Sequence, residues 1–193
     1  FQLWFKVIVA ILPIGVIGLL VDDWVTEHFY TPTVIAIALI FYGVLFILLE
    51  KRNHRVKPRI RNFEQLSYRT AVCIGILQLL AIIPGTSRSG STIIGGILVG
   101  TSRTVAAEFT FFLAIPVMFG ASLLKLVKFG FAFSSTELII LIVGVVVSFV
   151  VSVLAIKFLM GYIKKHDFKA FGWYRIVLGV LVLGYFVGKN FLG

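Results

Sequence analysis

Cysteine, histidine and charge are scarce in this sequence of 193 residues, and each scarcity excludes a class of protein. The single cysteine, Cys73, excludes a disulfide framework and a zinc site built on cysteines. The three histidines, His28, His54 and His166, lie far apart and form no H-x-x-H or H-E-x-x-H pair of metal ligands. Charged residues make up only 13% of the chain, against about 25% in soluble domains. So little charge cannot cover a water-facing surface.

Hydrophobic residues take the place of the missing charge. They make up 60% of the chain, against about 45–50% in soluble proteins, and the mean hydropathy is +1.07. Eighteen Lys and Arg against eight Asp and Glu give a net charge of +10. Because these cations sit between apolar runs, they indicate a positive-inside signal and attraction to anionic lipid, not binding to nucleic acid. The composition predicts an all-α integral membrane protein in a lipid bilayer.

A hydrocarbon core of about 30 Å needs about 20 apolar residues in a helix. The runs that predict full crossings are 3–20, 33–49, 104–124, 137–160 and 171–187. Basic stretches at 50–61 and 164–169 predict the cytoplasmic side. The acidic connection 22–30 and the connection 131–136 then lie outside. These features predict a polytopic helical bundle that forms a single transmembrane domain over residues 1–193.

The segment at about 66–99 departs from this pattern. Its apolar run 66–83 ends at a polar stretch, and the run 91–99 is too short to cross a membrane at 1.5 Å per residue. Counting crossings back from the second basic stretch puts both ends of the segment in the cytoplasm. We therefore predict a re-entrant broken helical hairpin, a unit often found in inverted repeats. No second copy is visible, and because Phe1 is not a start methionine, we expect an upstream part to be missing.

A polar break interrupts the hairpin and is the most informative stretch of the chain. It reads Pro84-Gly85-Thr86-Ser87-Arg88-Ser89-Gly90-Ser91-Thr92, between wholly apolar neighbours. An arginine inside a membrane costs about 2.5–3.5 kcal/mol on insertion scales, so some interaction must offset that cost. Irregular polar backbone is also costly there unless protein or a water-filled cavity surrounds it. The break therefore predicts a polar site within the protein.

The residue types of the break suit an oxyanion. Gly85 and Gly90 permit turns that point backbone N–H groups into one cavity. Arg88 carries a planar guanidinium that can bind a phosphate through two hydrogen bonds. A half-helix predicted to begin near Ser91 would add the positive end of its dipole. The hydroxyl donors are those of Thr86, Ser87, Ser89, Ser91 and Thr92. With many donors and no carboxylate nearby, the break predicts a cradle for phosphate or diphosphate.

Structural explanations compete with these assignments. Pro84 and Gly85 alone would fit a simple helix kink, and serines in membrane helices often serve packing. Gln78 is a candidate for a hydrogen bond across the hairpin, with packing as an equal alternative. Glu108 is a candidate counter-charge for a neighbouring arginine, although a carboxylate near a helix N-terminus at the interface fits at least as well. We assign Arg175 to the interface, with a place beneath the cradle as the alternative.

The break closely resembles a signature of a known family. The pattern Gln78-x5-Pro84-Gly85-Thr86-Ser87-Arg88-Ser89-Gly90-Ser91-Thr92 is similar to the second signature of the bacterial undecaprenyl-diphosphatase family, which is associated with bacitracin resistance. Two further patterns resemble the same family: Arg103-x2-Ala106-Ala107-Glu108-Phe109 and Phe171-x2-Tyr174-Arg175. The resemblance covers nearly the whole chain.

The resemblance implies a multi-pass hydrolase of the bacterial plasma (inner) membrane, with its active site accessible from the outer, periplasmic face. Its substrate would be a polyprenyl diphosphate, undecaprenyl diphosphate, whose terminal phosphate is removed to recycle the carrier for cell-wall peptidoglycan synthesis. Bacitracin would compete for this lipid. The implied fold is a pair of inverted repeats, each with a re-entrant hairpin. Stimulation by Mg2+ or Ca2+ is implied, although the sequence shows no protein metal site, and a homo-oligomer is left open.

One part of the family pattern is absent from the chain. A glutamate-rich stretch followed by Pro-x-Ser-Ser-x-Gly-His is expected upstream, where it would supply acid–base carboxylates, a histidine and a nucleophilic serine. We assign Arg88 to phosphate binding and transition-state stabilisation. Ser87 is assigned to phosphate contact, with a weaker claim as the nucleophile. The chain alone is expected to lack the proton-transfer groups.

Two other functions use similar elements. A transporter or flippase of a phosphorylated lipid would use the same broken hairpin, and release of phosphate distinguishes a hydrolase from it. A phosphatase of the vanadium-chloroperoxidase type needs a histidine six residues after Arg88, where this chain has Ile94. The sequence excludes that second alternative.

Overall fold

The fold of residues 2–53, 56–130 and 133–192 is described by a computed structural model. These residues form seven helices: α1 Gln2–Phe29, α2 Pro32–Asn53, α3 Tyr68–Gln78, α4 Arg88–Leu98, α5 Arg103–Phe129, α6 Ser135–Lys165 and α7 Lys169–Leu192. A short 3-10 helix, Leu79–Ile82, extends α3. In the described ranges, β pairing is limited to one isolated bridge between Ile60 and Thr101. Of the sequence predictions, His54 and Arg55 in the first basic stretch and Phe131 and Ala132 in the outer connection lie outside the described residues.

The helices confirm an all-α polytopic membrane protein. Four of them, α2, α5, α6 and α7, are long and apolar enough to cross a bilayer. The helix α1 is bent, since its two pieces, Gln2–Gly18 and Asp23–Phe29, are inclined 67° to each other. It makes a fifth span if the two pieces are counted together. Each of these helices therefore contains one of the apolar runs that the sequence analysis predicts to cross the membrane.

The prediction of a connection at 22–30 was wrong, because α1 stays helical to Phe29. No glycine or proline occurs between Leu19 and Tyr30, so the backbone has no local reason to leave the helix. The apolar run ends at Val21, and the helix bends at the point where polar residues begin. The acidic residues therefore lie on a helical piece inclined to the span and not on a loop.

The helices α3 and α4 have 11 residues each, or about 16 Å, so neither can cross a membrane alone. They pack against each other and are joined by residues 83–87. The chain returns to the place it left, because the Arg59 N–H donates to Gly100 O (2.9 Å) and the Ser102 N–H donates to Ile60 O (2.8 Å). A hairpin with both ends together is the geometry that a re-entrant segment requires. Its insertion from the cytoplasm remains a prediction.

We call one end of the molecule the basic end. It is formed by the last turns of α2, α4 and α6 and the first turns of α5 and α7. Here the Arg103 guanidinium donates to both oxygens of Glu50, over 2.9 Å from Nε and 2.5 Å from Nη2. Glu50 is 1% exposed. Because a buried carboxylate is costly without a partner, this bidentate pair fixes the start of α5 to the end of α2.

Glycines allow the hairpin to pack closely on its neighbours. A Cβ added at Gly75 of α3 would lie 2.0 Å from the carbonyl oxygen of Ala10 in α1. A Cβ at Gly95 would lie 3.0 Å from Leu77, and one at Gly96 would lie 2.9 Å from the Cβ of Ala106. Small residues at helix interfaces are typical of membrane proteins, where association depends on close packing. The helix α4 is thus held between α3 and α5 through its two adjacent glycines.

Replacing Gly75 with alanine is expected to lower the free energy of unfolding by about 1–3 kcal/mol, because α1 and α3 must move apart. The measurement is the thermal or denaturant unfolding of the purified protein in detergent. The matched control is Gly144→Ala in α6, where an added Cβ meets nothing within 4 Å. Alanine should there be neutral or stabilising by up to about 1 kcal/mol, since glycine is a poor helix former. Equal effects of the two changes would contradict the close α1–α3 contact.

Candidate active site

The break between α3 and α4 is built on two residues with left-handed backbone. Gly85 has φ +88°, and a Cβ at this position would lie 2.7 Å from the carbonyl oxygen of Ile35 in α2. Glycine is therefore required there both by conformation and by space. Ser87 has φ 65° and ψ 117°, and it is the one non-glycine residue with positive φ in the described ranges. Strain of this kind costs about 1–3 kcal/mol and clusters at functional sites.

The helix α4 begins at Arg88, three residues earlier than the sequence analysis predicted. The reason is that Ser87 serves as the N-cap: its Oγ accepts a hydrogen bond from the Gly90 N–H (3.2 Å). The Ser91 N–H bonds the carbonyl of Ser87 (3.0 Å), within the helix. The first N–H groups of α4, on Arg88 and Ser89, therefore point out of the helix N-terminus without an intrahelical partner. These groups and the helix dipole make a binding place for an anion.

Arg88 is the first residue of α4, and its side chain is partly buried. Within the described residues no carboxylate pairs with it and no acceptor is in hydrogen-bond range of its guanidinium. Glu108 does not pair with it, and Arg103 pairs with Glu50 instead of Glu108. A partly buried cation without a counter-ion is costly, and an anionic ligand would remove that cost.

Arg175 of α7 lies beneath the break. The structure therefore shows the second of the two places considered for this residue, beneath the cradle, and not the membrane interface. Its Nη1 donates to the carbonyl oxygen of Thr86 (3.1 Å), and its guanidinium lies 5.7 Å from the centre of the Phe46 ring. A Cβ at Gly90 would lie 3.4 Å from its Nη2, so the guanidinium passes close to the first turn of α4. The break is thereby flanked by two guanidinium groups, one from α4 and one from α7.

A cavity of about 120 Å³ lies beside the first turn of α4. Its polar wall consists of Ser87, Ser89, Gly90, Thr110 and Arg175, whereas Arg88 does not line it. Its apolar wall is formed by residues of α2, α4, α5, α6 and α7 and by Phe168 before α7: Phe46, Ile93, Ala107, Phe111, Leu159, Ile163, Phe168 and Phe171. A cavity with one polar end and a long apolar side suits an amphiphilic ligand.

The remaining hydroxyls of the break are turned inward. Ser91 and Thr92 are fully buried, and the Thr92 hydroxyl lies 3.1 Å from the carbonyl oxygens of both Arg88 and Ser89. The Ser91 hydroxyl donates to Ser87 O (3.3 Å). Thr92 also meets Thr110 of α5 at 2.8 Å between hydroxyls. The structure therefore brings Ser87 and Ser89 to the cavity, whereas Ser91 and Thr92 stabilise the first turns of α4.

One buried polar side chain near the break has no hydrogen-bond partner in the described residues. Both amide atoms of Gln78 are unpaired, although the residue is 0% exposed. Thr86 is also 0% exposed, but the Tyr42 side chain of α2 faces its hydroxyl and that of Ser91, a contact that no local pattern predicts. Unpaired buried groups are uncommon, so Gln78 marks a place where a bound water or ligand atom fits.

The described residues do not fit a metal ion held by protein side chains. No three His, Cys, Asp or Glu side chains come together in the described ranges. His28 bonds the carbonyl oxygen of Trp24 (2.9 Å), and His166 stacks on Tyr162, so neither histidine belongs to the break. Glu108 is the residue after Ala107 of the cavity wall and forms no ion pair among the described residues.

Comparison with known proteins decides the family. The family model described as bacitracin resistance protein BacA matches residues 1–181. The chain belongs to the BacA family. A protein of Desulfitobacterium hafniense named undecaprenyl-diphosphatase is 61% identical over 193 residues, which is 100% of this chain and 69% of that protein. A protein of the same name from Acetivibrio thermocellus is 62% identical over 187 residues, or 97% of this chain and 69% of its own length.

The BacA assignment confirms the resemblance drawn from the sequence, and the structure shows where the three quoted patterns lie. The first is the break itself, the second is the start of α5, and the third is the start of α7. The first pattern meets α5 one residue after the second pattern ends, through the Thr92–Thr110 contact, and the first and third meet through the Arg175–Thr86 bond. Three separate stretches of a BacA protein thus converge on the N-terminus of α4.

Ser87 offers a test that separates function from folding. Glycine at position 87 relieves the positive φ and costs only a few tenths of a kcal/mol as an N-cap. We expect Ser87→Gly to keep or raise the melting temperature while lowering turnover by at least about tenfold, because the hydroxyl at the cavity is lost. Thermal unfolding and phosphate release on the same preparation are the two measurements. The control is Ser134→Gly at the N-cap of α6, which should leave turnover unchanged. Full activity of Ser87→Gly would remove Ser87 from the site.

Proposed function

We propose that this protein is an undecaprenyl-diphosphatase, a membrane hydrolase that removes the terminal phosphate of undecaprenyl diphosphate. The observation that carries the proposal is the pair of guanidinium groups, Arg88 and Arg175, beside the open N-terminus of α4. The names of the relatives support the same activity. Hydrolysis is proposed to return the polyprenyl carrier to peptidoglycan synthesis, and bacitracin is proposed to compete for the same diphosphate lipid. The description of the family model as a bacitracin resistance protein supports both.

The terminal phosphate fits against the first turn of α4. There the N–H groups of Arg88 and Ser89, the hydroxyls of Ser87 and Ser89 and the Arg175 guanidinium can donate to its oxygens. The Arg88 side chain does not line the cavity, and its guanidinium is proposed to reach the phosphate from the start of α4. The Ser87 Oγ accepts from the Gly90 N–H and lies 3.3 Å from the Ser89 Oγ, so this pair of hydroxyls has a proton to donate to the phosphate. In the reaction the bond between the terminal phosphorus and the bridging oxygen breaks, and a water oxygen is added. The products are polyprenyl phosphate and inorganic phosphate.

The donors act most strongly on the transition state. Phosphoryl transfer spreads negative charge over the equatorial oxygens of the moving group, and fixed donors that meet this charge lower the barrier. Arg88 is proposed as the principal stabiliser because no counter-ion in the described residues competes for its charge. Arg175 is held by Thr86 and supports the same region from α7.

The apolar wall of the cavity suits the first isoprene units of the substrate. Phe46, Phe111, Phe168 and Phe171 give a wide hydrocarbon surface next to the polar wall. Such a surface contacts a polyprenyl chain as well as the surrounding lipid does, whereas the base and sugar of a nucleotide would lose their water there without hydrogen-bond partners. The proposal therefore favours a lipid diphosphate over a water-soluble nucleotide.

Proton transfer is proposed to come from the other family signature, with its glutamates and its Ser-x-Gly-His sequence. Among the described residues, neither a carboxylate nor a histidine lines the cavity, so they do not supply an acid–base pair. A divalent cation is proposed to arrive on the diphosphate itself, as Mg2+ often does with phosphate substrates.

The protein is proposed to lie in the bacterial plasma membrane with the site open to the outer face. Support comes from the concentration of Lys and Arg at the basic end, which the positive-inside rule puts in the cytoplasm. The break lies at the far end of α4, about 16 Å from the basic end and near the middle of a core of about 30 Å. Oligomerisation is left to measurement.

The direct test is release of inorganic phosphate from undecaprenyl diphosphate by the full-length protein in detergent or vesicles. We expect one phosphate and one undecaprenyl phosphate for each substrate consumed. Movement of the intact lipid between leaflets without phosphate release would overturn the proposal in favour of a flippase. The control is the same assay on heat-inactivated protein.

A further inference from the structure

A second cavity, of about 210 Å³, lies at the basic end and has no part in the proposed hydrolysis. We call it the basic pocket. It lies between the last turn of α2, residues 56–59 and the end of α4 with the following turn. Its rim carries Arg52, Lys57 and Arg59, and its apolar floor is Leu49, Ile97, Leu98 and Val99. The polar residues Asn53 and Thr101 complete it together with Val56, Pro58 and Gly100.

We propose that the basic pocket binds the phosphodiester headgroup of an anionic phospholipid of the membrane. Among the residues that the structure describes, the pocket is lined by three cations and no carboxylate. Within the described residues none of the three forms an ion pair, and the nearest carboxylate in sequence, Glu50, is already bound by Arg103. Three unpaired cations around one space repel each other, and an anion between them removes that repulsion.

The pocket is preformed. The N–H groups of Arg59 and Ile60 both donate to Gly100 O, over 2.9 and 3.1 Å, and they fix the rim to the end of the hairpin. Thr101 is 1% exposed and its Oγ1 has no hydrogen-bond partner in the described chain. That oxygen lies against Gly96 at the contact of α4 with α5, so it is a packing feature of the wall and not a ligand contact. The backbone bonds fix Arg59 against the end of the hairpin before a ligand arrives, which lowers the entropic cost of binding.

The shape of the pocket favours a lipid over a free anion. The cations form its rim, whereas aliphatic side chains from α2 and α4 form its floor, so the pocket matches a headgroup with an attached hydrocarbon chain. It also lies at the ends of membrane-spanning helices, the depth at which lipid headgroups are found. Basic pockets between helices on the cytoplasmic side are a recognised form of lipid-specific site. The break lies at the other end of α4, so the substrate site and the basic pocket are separate.

The test is a binding titration of the full-length protein in detergent micelles, followed by native mass spectrometry. The probes are dioleoylphosphatidylglycerol, dioleoylphosphatidylcholine and sodium phosphate. We expect the anionic lipid to bind at least about tenfold more tightly than the zwitterionic one. The triple variant R52A/K57A/R59A should weaken binding of the anionic lipid by about 10²-fold, at about 1 kcal/mol for each cation, and leave that of the zwitterionic lipid unchanged.

The matched control is K51A/R61A/K165A, which removes three exposed cations of the basic end that do not line the pocket. It should change the affinity by less than about fivefold. Equal losses in the two triple variants would show general surface attraction and overturn the proposal. Displacement of the lipid by millimolar phosphate, with phosphate bound equally well alone, would overturn the choice of a lipid. Equal wild-type affinity for the two lipids would overturn the site itself.

Discussion

Replacing Arg88 with alanine is expected to lower the turnover of undecaprenyl diphosphate by at least about 10²-fold, the size of effect seen when one transition-state donor is lost. Arg88 meets no counter-ion in the described residues, so its charge is available to the substrate. Arg88→Lys should restore little, because lysine keeps the charge but loses the planar pair of donors. The measurement is kcat and KM for phosphate release.

Arg69→Ala at the start of α3 is the matched control, since it removes an exposed arginine from the same hairpin. It should leave kcat and KM within about twofold of the wild type. A near-normal rate for Arg88→Lys would show that a point charge is enough. A near-normal rate for Arg88→Ala, with the fold intact, would remove Arg88 from the proposed mechanism.

Replacing Arg175 with glutamine is expected to cost about 10²-fold in turnover. Glutamine carries no charge, and its amide nitrogen ends two bonds short of the Nη1 that donates to the carbonyl of Thr86, so the variant loses both interactions. If Arg175 only positioned the break, kcat and the melting temperature would fall together. A loss of kcat with an unchanged melting temperature would support a direct electrostatic role at the phosphate.

Lys189→Gln on the same helix is the control for Arg175, because it removes an exposed cation far along α7 from the break. Its kcat should equal that of the wild type. A loss of turnover in Arg175→Gln that parallels a loss of folded protein would mean that the Thr86 bond stabilises the break and that the charge is not used.

Most of the fold could be predicted from the sequence because membrane spans depend on length and apolarity, which are local properties. The helices α2, α5, α6 and α7 were found in this way. The end of α1 was not, because the polar residues after Val21 predict a connection, whereas the chain has no glycine or proline between Leu19 and Tyr30 and stays helical to Phe29. The Glu50–Arg103 pair joins residues 53 positions apart, and no local pattern connects them.

The site was predicted in its residue types but not in its geometry. Ser87 and Ser91 are both good N-caps, and the choice between them depends on the backbone that Gly85 and Ser87 adopt. Arg175 was assigned to the interface because of the aromatic residues beside it. Its position, six residues into an apolar helix, was the available signal, since an arginine that deep is by default a functional residue.

The two glycines in the middle of α4 have a consequence for how the protein can evolve. Gly95 and Gly96 bear no functional group, yet they set how closely α4 packs between α3 and α5. A methyl group at either position would shift the N-terminal end of α4, which carries Ser87 and Arg88, without contacting it. The position of the reactive groups therefore depends on two residues two turns away whose side chains are single hydrogen atoms. A search for reactive side chains would not identify them.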